Sequence, residues 1–328
     1  MSGDSPERRS ATASSGGDAG NEPLVSVIVP AYQQRRWVAE ALDSVLAQTY
    51  PRIEVIVVDD GSTDGTGDLV RDRFGDAVRV VRQANQGLAA ARNAGLALAR
   101  GELIQFLDAD DRLAPDKIAL QVQALAGHPE YDVAYCDYAF FPDTPPRARR
   151  GVPTPPAEGS GELLERLLEG NFIASHAALL RRTALRDVGG FDPALRGAED
   201  YDLWLRLAVS GCRFLHTPGA HALYRSRPDS LSSDDVRQVT WTLRVLRRAE
   251  TYVPRDRHGA HHVLQRSVRR LTDFEVYALL RRAVAETRAL RPMAAASSAF
   301  RALRTDPAGT PRRLLRAAML PFQGSGHD

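Results

Sequence analysis

The chain has 328 residues, of which 43% are hydrophobic and 26% are charged, and its formal net charge is only +2. These values are typical of a soluble globular chain that buries a large core, and they give no sign of a nucleic-acid partner. No apolar run approaches the ~20 residues that cross a bilayer, and the polar N-terminus lacks a signal-peptide core, so we expect a cytoplasmic protein.

The N-terminal part of the chain predicts alternating strands and helices. Residues 1–22 contain almost no apolar side chains, so we expect a disordered tail. Beyond the tail, β-branched runs alternate with segments whose apolar residues have helical spacing. The predicted strands are 24–30, 53–58, 78–81 and 103–107. A helix over 35–48 follows the first strand, a helix that ends at about Arg73 follows the second, and a helix over 88–99 follows the third. This alternation predicts a mostly parallel, doubly wound α/β sheet whose ligands bind beyond the carboxyl ends of the strands.

The fourth predicted strand ends in three carboxylates, those of Asp108, Asp110 and Asp111. Asp108 and Asp110 are two residues apart, so both can reach one point beyond the strand. Crowded carboxylates repel each other, and a shared Mg²⁺ or Mn²⁺ relieves this repulsion while leaving coordination positions for phosphate oxygens. The alternative is a solvated acidic turn, with Asp111 or Asp116 near the N-terminus of the next helix.

Three strand ends are expected to form one cleft, namely Pro30-Ala31-Tyr32, Asp59-Asp60-Gly61 and Asp108-Ala109-Asp110. A dinucleotide-binding domain would also place an acid after its second strand. Such a domain needs glycine in its first turn so that a pyrophosphate can approach the helix, and residues 30–36 contain none. The first turn therefore argues against a dehydrogenase.

The second half of the chain is less regular. We predict a helix over 117–125 and strands over 133–136 and 177–180. Residues 142–161 are rich in Pro, Gly and Arg, which fits either a disordered excursion or a flap over a site. A further helix begins near Glu199 and Asp200 and carries Trp204, a pattern that also fits ordinary helix capping and a core tryptophan.

From about residue 234 onward, Arg- and Ala-rich helical patterns predict an appended helical segment, as over 279–284 and 312–320. The basic amphipathic pieces fit packing against the preceding domain, or peripheral contact with an anionic membrane surface on its inner face. The neighbouring His258, His261 and His262 have no carboxylate pattern beside them, and we interpret them as surface residues.

Taken in order, the motifs resemble those of the family 2 inverting glycosyltransferases with the GT-A fold. The residues that carry the resemblance are Val25-Ser26-Val27-Ile28-Val29-Pro30-Ala31-Tyr32, Val58-Asp59-Asp60-Gly61-Ser62-Thr63-Asp64-Gly65-Thr66, Asn85-Gln86-Gly87, Ala91-Arg92-Asn93, Leu107-Asp108-Ala109-Asp110-Asp111, Gly190-Phe191-Asp192, Glu199-Asp200-Tyr201-Asp202-Leu203-Trp204, and Tyr224-Arg225 before Ser230. The match covers about residues 24–232, and Gln33 departs from it where the family often has Asn. The resemblance implies a GT-A domain over 23–232, with a nucleotide-binding half and an acceptor-binding half, followed by a helical C-terminal extension over 233–328.

The resemblance also implies an activity: metal-dependent transfer of a sugar, with inversion, from a nucleotide-sugar to a hydroxyl of a saccharide or lipid-linked acceptor. A UDP-sugar is the preferred donor, and Mn²⁺ or Mg²⁺ the cofactor. Asp200 would be the general base, and its place near a helix N-terminus should favour the ionised form. The other roles are nucleotide-sugar binding for Pro30, Tyr32, Asp60, Arg92, Asp108 and Ala109, metal binding for Asp108 and Asp110, and acceptor or loop contacts for Glu199, Trp204, Tyr224 and Arg225.

Two other functions have similar parts. A sugar nucleotidyltransferase usually has a Gly-rich basic loop after its first strand, which the turn over 30–36 lacks. A non-catalytic nucleotide-sugar-binding protein would have no reason to keep the carboxylates of Asp60, Asp108, Asp110 and Asp200.

Overall fold

The structure is a computed structural model that describes residues 22–142, 160–227, 235–289, 291–307 and 310. The strands are β1 (Val25–Ala31), β2 (Ile53–Asp59), β3 (Arg79–Arg82), β4 (Leu103–Phe106), β5 (Arg112–Leu113), β6 (Val133–Pro142), β7 (Ala178–Arg181) and β8 (Phe214–Ser226). The helices are α1 (Val38–Leu46), α2 (Thr66–Phe74), α3 (Leu88–Leu98), α4 (Lys117–Gly127), α5 (Leu164–Glu169), α6 (Leu185–Val188), α7 (Glu199–Val209), α8 (Asp235–Tyr252), α9 (His258–Arg288) and α10 (Pro292–Thr305).

The described strands form one sheet in the order β3-β2-β1-β4-β7-β6-β8-β5. The first four strands are mutually parallel, as the alternating sequence pattern predicts. Beyond β4 the sheet is mixed, because β7 runs antiparallel to both β4 and β6, whereas β6 and β8 are parallel. The predicted α/β fold with C-terminal helices is confirmed, and its second half contributes the antiparallel pairs.

The central strand β1 buries side chains on both faces of the sheet. Val25, Val27 and Val29 pack in one hydrophobic cluster with residues of α1, α2 and α4. Ile28 points to the opposite face and belongs to a second cluster with residues of α5, α7, α8 and α9. Side chains alternate along a strand, so a continuous apolar run is what a strand covered on both faces requires.

The C-terminal helices share the core of the sheet domain. Val239 and Leu243 of α8, and Leu264 and Leu271 of α9, are buried in the same cluster as residues of α5 and α7. None of the helices within the described ranges is long and apolar enough to cross a membrane. Several sequence predictions lie outside the described residues: the tail up to residue 21, residues 143–159 of the Pro-rich segment, Ser230, and the helical pattern over 312–320.

Strand β8 corrects one prediction. The resemblance implied acceptor or loop contacts for Tyr224 and Arg225, but both residues lie in β8, paired with Phe140 and Phe141 of β6. The β6–β8 pairing is irregular near Asp137, and Pro218 lies within the strand, so the sequence of β8 shows no clean alternation.

The close approach of α3 to β1 generates a stability prediction. A Cβ atom on Gly95 would lie 2.3 Å from Cγ2 of Ile28, which is fully buried. Gly95→Ala should therefore lower the free energy of unfolding by about 1–3 kcal/mol, the usual cost of overpacking. Urea unfolding measures this change.

Gly127→Ala is the matched control, because Gly127 is also helical and a Cβ there would meet nothing within 4 Å. Equal stability of the two variants would show that α3 does not pack this tightly on β1.

Candidate active site

The carboxyl ends of β1, β2 and β4 lie side by side, since β1 pairs in parallel with both neighbours. This register brings Pro30, Asp60 and Asp108 to the same edge of the sheet, where the sequence predicted a cleft. Pro30 and Ala109 are buried, whereas the Tyr32 side chain is 48% exposed. Tyr32 therefore offers an accessible ring surface at this edge.

The Asp60 carboxylate holds the loop that follows β3. It accepts hydrogen bonds from the Gln83 side chain at 2.7 Å and from the backbone N–H groups of Gln86 and Gly87 at 2.9 and 2.8 Å. Asp60 is buried, and these bonds fix the shape of the cleft wall beside it. The sequence assigned this side chain to the nucleoside, and the structure shows that its oxygens already have protein partners.

Arg92 joins two carboxylates from distant parts of the chain. Its guanidinium donates at 2.6 Å to Asp108, which follows β4, and at 2.6 Å to Glu199, the first residue of α7. A further hydrogen bond of 3.1 Å reaches the Ser175 hydroxyl, and the Arg92 side chain is only 1% exposed. Neighbouring protein groups therefore cover the guanidinium, and nucleotide-sugar binding by Arg92 stays a prediction.

This arrangement keeps Asp108 ionised. Burial alone would raise the pKa of the Asp108 carboxyl, but the charges of Arg92 and His176 and the hydrogen bonds from Arg92 and Ser175 together outweigh burial and hold that pKa below its ordinary value. Burial alone would likewise lower the pKa of Arg92, but the charges of Asp108, Glu199 and Asp200 raise it instead. Asp108 remains partly exposed, with 27% of its side chain accessible.

The other two acids of the cluster lie in different surroundings. Asp110 pairs with Arg227 at 2.8 Å, and its pKa is raised by burial and then by the Asp108 charge. Asp111 is buried and accepts a hydrogen bond of 2.7 Å from the backbone N–H of Arg225. Burial, followed by repulsion from Asp110 and Asp108, raises the pKa of Asp111 well above its ordinary value.

A histidine completes the cluster, and the sequence analysis missed it. His176 is fully buried in the short 3₁₀ turn Ser175–Ala177 before β7. Among the described residues, Asp108, Asp111 and His176 form a group whose candidate ligand atoms all lie within 4.8 Å of one another. No sequence signal marks His176, because β7 reaches this site only by pairing with β4.

Asp200 is the second residue of α7 and is partly buried. Its carboxylate accepts a hydrogen bond from the Tyr201 N–H at 2.7 Å and a longer one from Asn171 at 3.4 Å. Burial and then the neighbouring Glu199 charge raise the pKa of Asp200 to about 7, although Arg92 opposes both. Burial therefore opposes the expected effect of the helix N-terminus in the ligand-free site, and the ionised form of Asp200 stays a prediction.

Trp204 and Arg225 stabilise the structure around the site. Trp204 is fully buried and donates its indole N–H to the Ile173 carbonyl at 2.9 Å, which fits the core tryptophan that the sequence left open, while the acceptor contact stays a prediction. Arg225 lies between the rings of Trp37 and Phe141, 4.3 and 4.5 Å from their centroids.

Two hydrogen bonds of 2.7 Å connect the Arg225 guanidinium to the Asp110 carbonyl and to Glu40 of α1. Together with the backbone bond to Asp111, they tie β8 to the acid cluster. Tyr224, next to Arg225, is partly buried beside the rings of His176, Tyr138 and Phe140.

Comparison with known proteins identifies relatives of the chain. The model of the family described as "Glycosyl transferase family 2" matches residues 26–189. An uncharacterized glycosyltransferase of Rickettsia typhi is 36% identical over 199 residues, which are 59% of this chain and 62% of the relative, so less than two thirds of that protein is covered. The putative glycosyltransferase EpsE of Bacillus subtilis is 32% identical over 214 residues, 63% of this chain and 74% of EpsE.

Two solved structures share the fold. Residues 1–349 of S. aureus TarS, in complex with UDP, superpose with a TM-score of 0.65 at 20% identity, covering 92% of this chain and 93% of that one. The mannosyltransferase PcManGT of Pyrobaculum calidifontis, in complex with GDP-Man and Mn²⁺, gives a TM-score of 0.59 at 22% identity, covering 90% of this chain and 80% of that one.

The raised pKa of Asp200 predicts a pH-dependent stability. A carboxyl whose pKa is about 7 in the folded ligand-free protein and about 3.9 when unfolded stabilises the fold below pH ~4 and loses that contribution as pH rises towards 7. The Asp200→Asn variant should not lose stability in this way, because an asparagine side chain does not ionise as the pH rises. Relative to the wild type, the variant should therefore gain at least about 1 kcal/mol between pH 5 and pH 8, since one pKa unit corresponds to about 1.4 kcal/mol.

Urea unfolding at the two pH values measures the difference. Asp68→Asn is the control, because Asp68 is an exposed carboxylate on α2. An Asp200→Asn variant that follows the wild type equally at both pH values would contradict the raised pKa.

Proposed function

Since the chain belongs to glycosyl transferase family 2 and is a glycosyltransferase, we propose that it transfers a sugar from a nucleoside-diphosphate sugar to an acceptor hydroxyl with inversion at the anomeric carbon. The observation that carries this proposal is the Asp108–Arg92–Glu199 network. Through Arg92, the network connects Asp108, at the proposed donor site, to the first turn of α7, which carries the proposed base Asp200.

The proposed donor is a UDP-sugar, bound across the carboxyl ends of β1, β2 and β4. Pro30, Tyr32 and Asp60 would contact the base and ribose of the donor. Asp108 and Ala109 would lie nearer its diphosphate. Structures of TarS with UDP and with UDP-GlcNAc support a uridine nucleotide, while PcManGT with GDP-Man shows that the fold also accepts guanosine.

A divalent cation, Mn²⁺ or Mg²⁺, fits the acid cluster. Asp108 belongs both to the Asp108–Asp110 pair expected from the sequence and to the Asp108–Asp111–His176 group, and oxygen and imidazole donors suit divalent ions. When bound, such an ion neutralises negative charge on the departing nucleotide. The Arg92 contact helps the site by keeping Asp108 ionised and oriented.

Asp200 is the proposed general base. An inverting transfer needs one carboxylate on the side opposite the leaving group, which takes the proton of the acceptor hydroxyl while its oxygen attacks the anomeric carbon. Glu199 cannot easily share this task, because its carboxylate is buried against Arg92. The acceptor itself would be a saccharide or a lipid-linked glycan.

The decisive variant for this role is Asp200→Asn. It should lower kcat for transfer from a UDP-sugar by about 10²–10⁴-fold, the usual contribution of a general base. Nucleotide binding should survive, so UDP with Mn²⁺ should raise the melting temperature of the variant as much as that of the wild type. Asp187→Asn, an exposed carboxylate on α6, is the matched control.

Near wild-type turnover by Asp200→Asn would remove Asp200 as the base. A melting-temperature shift with GDP but none with UDP would overturn the donor assignment while leaving the base assignment intact.

We also propose peripheral contact with an anionic membrane through the C-terminal helices. On α10, Met293 and Phe300 are 85% and 60% exposed, and the exposed Arg301 and Arg304 lie on the same helix, which carries no acid. Apolar side chains flanked by arginines suit the surface of anionic lipids.

Vesicle sedimentation tests this contact. The full chain should pellet with vesicles that contain anionic phospholipid and stay in solution with neutral phosphatidylcholine. The double variant Met293→Ser, Phe300→Ser should bind several-fold less, whereas Leu120→Ser on α4 should behave as the wild type. Unchanged binding by the double variant would exclude α10 as the contact.

A further inference from the structure

The backbone directly before the proposed base adopts an unfavourable conformation. Ala198, which precedes Glu199 and Asp200, has φ 57° and ψ 26°, in the left-handed region. A residue with a Cβ atom rarely adopts this conformation, which persists only where surrounding contacts enforce it. The Ala198 carbonyl accepts a hydrogen bond from the Asp202 N–H at 3.2 Å and so begins the hydrogen bonding of α7. The position of Asp200 therefore depends on the contacts that hold Ala198 and its neighbours.

An aromatic ring of α8 makes such a contact. A Cβ atom on Gly197 would lie 2.8 Å from Cδ1 of Trp241, and 3.1 and 3.2 Å from Cγ and Nε1 of the same indole. The φ of Gly197 lies outside the left-handed region, so the close ring, and not the backbone conformation, excludes a side chain there. Ala198 and Trp241 are partly buried and pack against the same hydrophobic cluster. The indole thus lies directly against the backbone from which α7 starts.

Neighbouring residues hold the indole and α8 in place. The Arg244 guanidinium lies 4.6 Å from the centroid of the Trp241 ring. Thr240, which precedes Trp241, donates to the Glu275 carboxylate of α9, and this carboxylate also accepts from Thr305 of α10 at 3.3 Å. Because Glu275 is buried, this shared carboxylate connects the three C-terminal helices inside the protein. Helix α8 is therefore a fixed support for the ring.

The first turn of α7 is held from two directions. On the donor side, Glu199 pairs with Arg92 of α3 at 2.6 Å. On the side of α8, the Trp241 ring lies against the preceding backbone, and Arg248 lies 3.8 Å from Asp202. The Arg92 contact does not involve α8, so loss of the indole should shift the proposed base while leaving the donor side intact.

We propose that Trp241 is a positioning residue for the proposed general base: its ring holds Gly197 and the left-handed Ala198, and so fixes where α7 begins and where Asp200 lies. This inference rests on the proposed glycosyl transfer and assigns the C-terminal helices a part in it. Helix α8 lies outside residues 26–189, which the family model matches.

Turnover of a donor by the full chain tests the role of the ring. The assay measures release of UDP from UDP-GlcNAc with Mn²⁺, where water takes the place of the acceptor. Trp241→Ala should lower kcat by about 10–100-fold, because a misplacement of about 1 Å can cost about 10²-fold. KM for UDP-GlcNAc, and the rise in melting temperature with UDP and Mn²⁺, should stay as in the wild type. Trp241→Phe keeps a ring against Gly197 and should retain most of the wild-type kcat.

Leu264→Ala is the matched control for lost packing. Leu264 is fully buried in the same hydrophobic cluster but belongs to α9, which packs on α5. This variant should lower the melting temperature, because it leaves a cavity in the core, yet keep the wild-type kcat below that temperature. An equal loss of kcat in Leu264→Ala and Trp241→Ala would reduce Trp241 to an ordinary core residue and overturn the proposal.

A double-mutant cycle tests the contact itself. Gly197→Ala should lower kcat as Trp241→Ala does, because the new methyl group would clash with the indole. In the Trp241→Ala background the same change should cost nothing further, since residues in contact do not act additively. Effects that multiply in the double variant would show that the two residues act independently and would overturn the proposal.

Hydrogen–deuterium exchange measures the first turn of α7 without any activity. Trp241→Ala and Gly197→Ala should exchange faster than the wild type in peptides over 199–205, whereas Leu264→Ala should not. Wild-type kcat and exchange in Gly197→Ala, which removes no core side chain, would refute the proposal even if Trp241→Ala does not fold. Faster exchange in both variants, together with no UDP release by the wild type, would count against the proposed function alone.

Discussion

The buried guanidinium of Arg92 is the interaction on which the site depends. Asp108 follows a strand of the parallel half of the sheet, and Glu199 begins a helix of the other half, yet both carboxylates contact this one cation. Two carboxylates buried this close would repel each other strongly without a compensating charge. The helix α3 therefore has to approach the sheet closely, and Gly95 against Ile28 is where it does so.

The same helix also fixes the turn that leads towards the proposed base. Asn93, next to Arg92, both donates to and accepts from the backbone of Phe191, at 2.7 and 2.8 Å. A Cβ on Gly190 would lie 2.2 Å from the Asn93 side chain, so only glycine allows this contact. From the other side, Trp241 of α8 packs on Gly197, and Arg248 of α8 pairs with Asp192. The C-terminal helices thus support the segment before Asp200, although they lie outside the family match.

The single positive charge of Arg92 does not neutralise every carboxylate of the site, and the carboxyl groups therefore differ in pKa. Arg92 holds the pKa of Asp108 down, whereas burial and neighbouring carboxylates raise the pKa of Asp111 and Asp200. Environments that push the pKa values of nearby carboxyls apart give chemically similar groups different roles. The lowered pKa of Asp108 suits a group that stays ionised beside the proposed donor, and the raised pKa of Asp200 suits a group that takes a proton from the proposed acceptor hydroxyl.

The sequence by itself determined the parallel half of the sheet and the acids at its strand ends, because a buried strand shows as a local apolar run such as Val27-Ile28-Val29, and Asp60 and Asp108 follow their strands directly. It also predicted the family through the order of its motifs. Only the tertiary structure decided what Arg92 contacts, that Trp204 lies in the core, that Tyr224 and Arg225 belong to a strand, and that His176 meets Asp111. Each of these contacts joins segments that are distant in the chain, so no local sequence pattern could predict it. The raised pKa of Asp200 likewise depends on burial by distant segments.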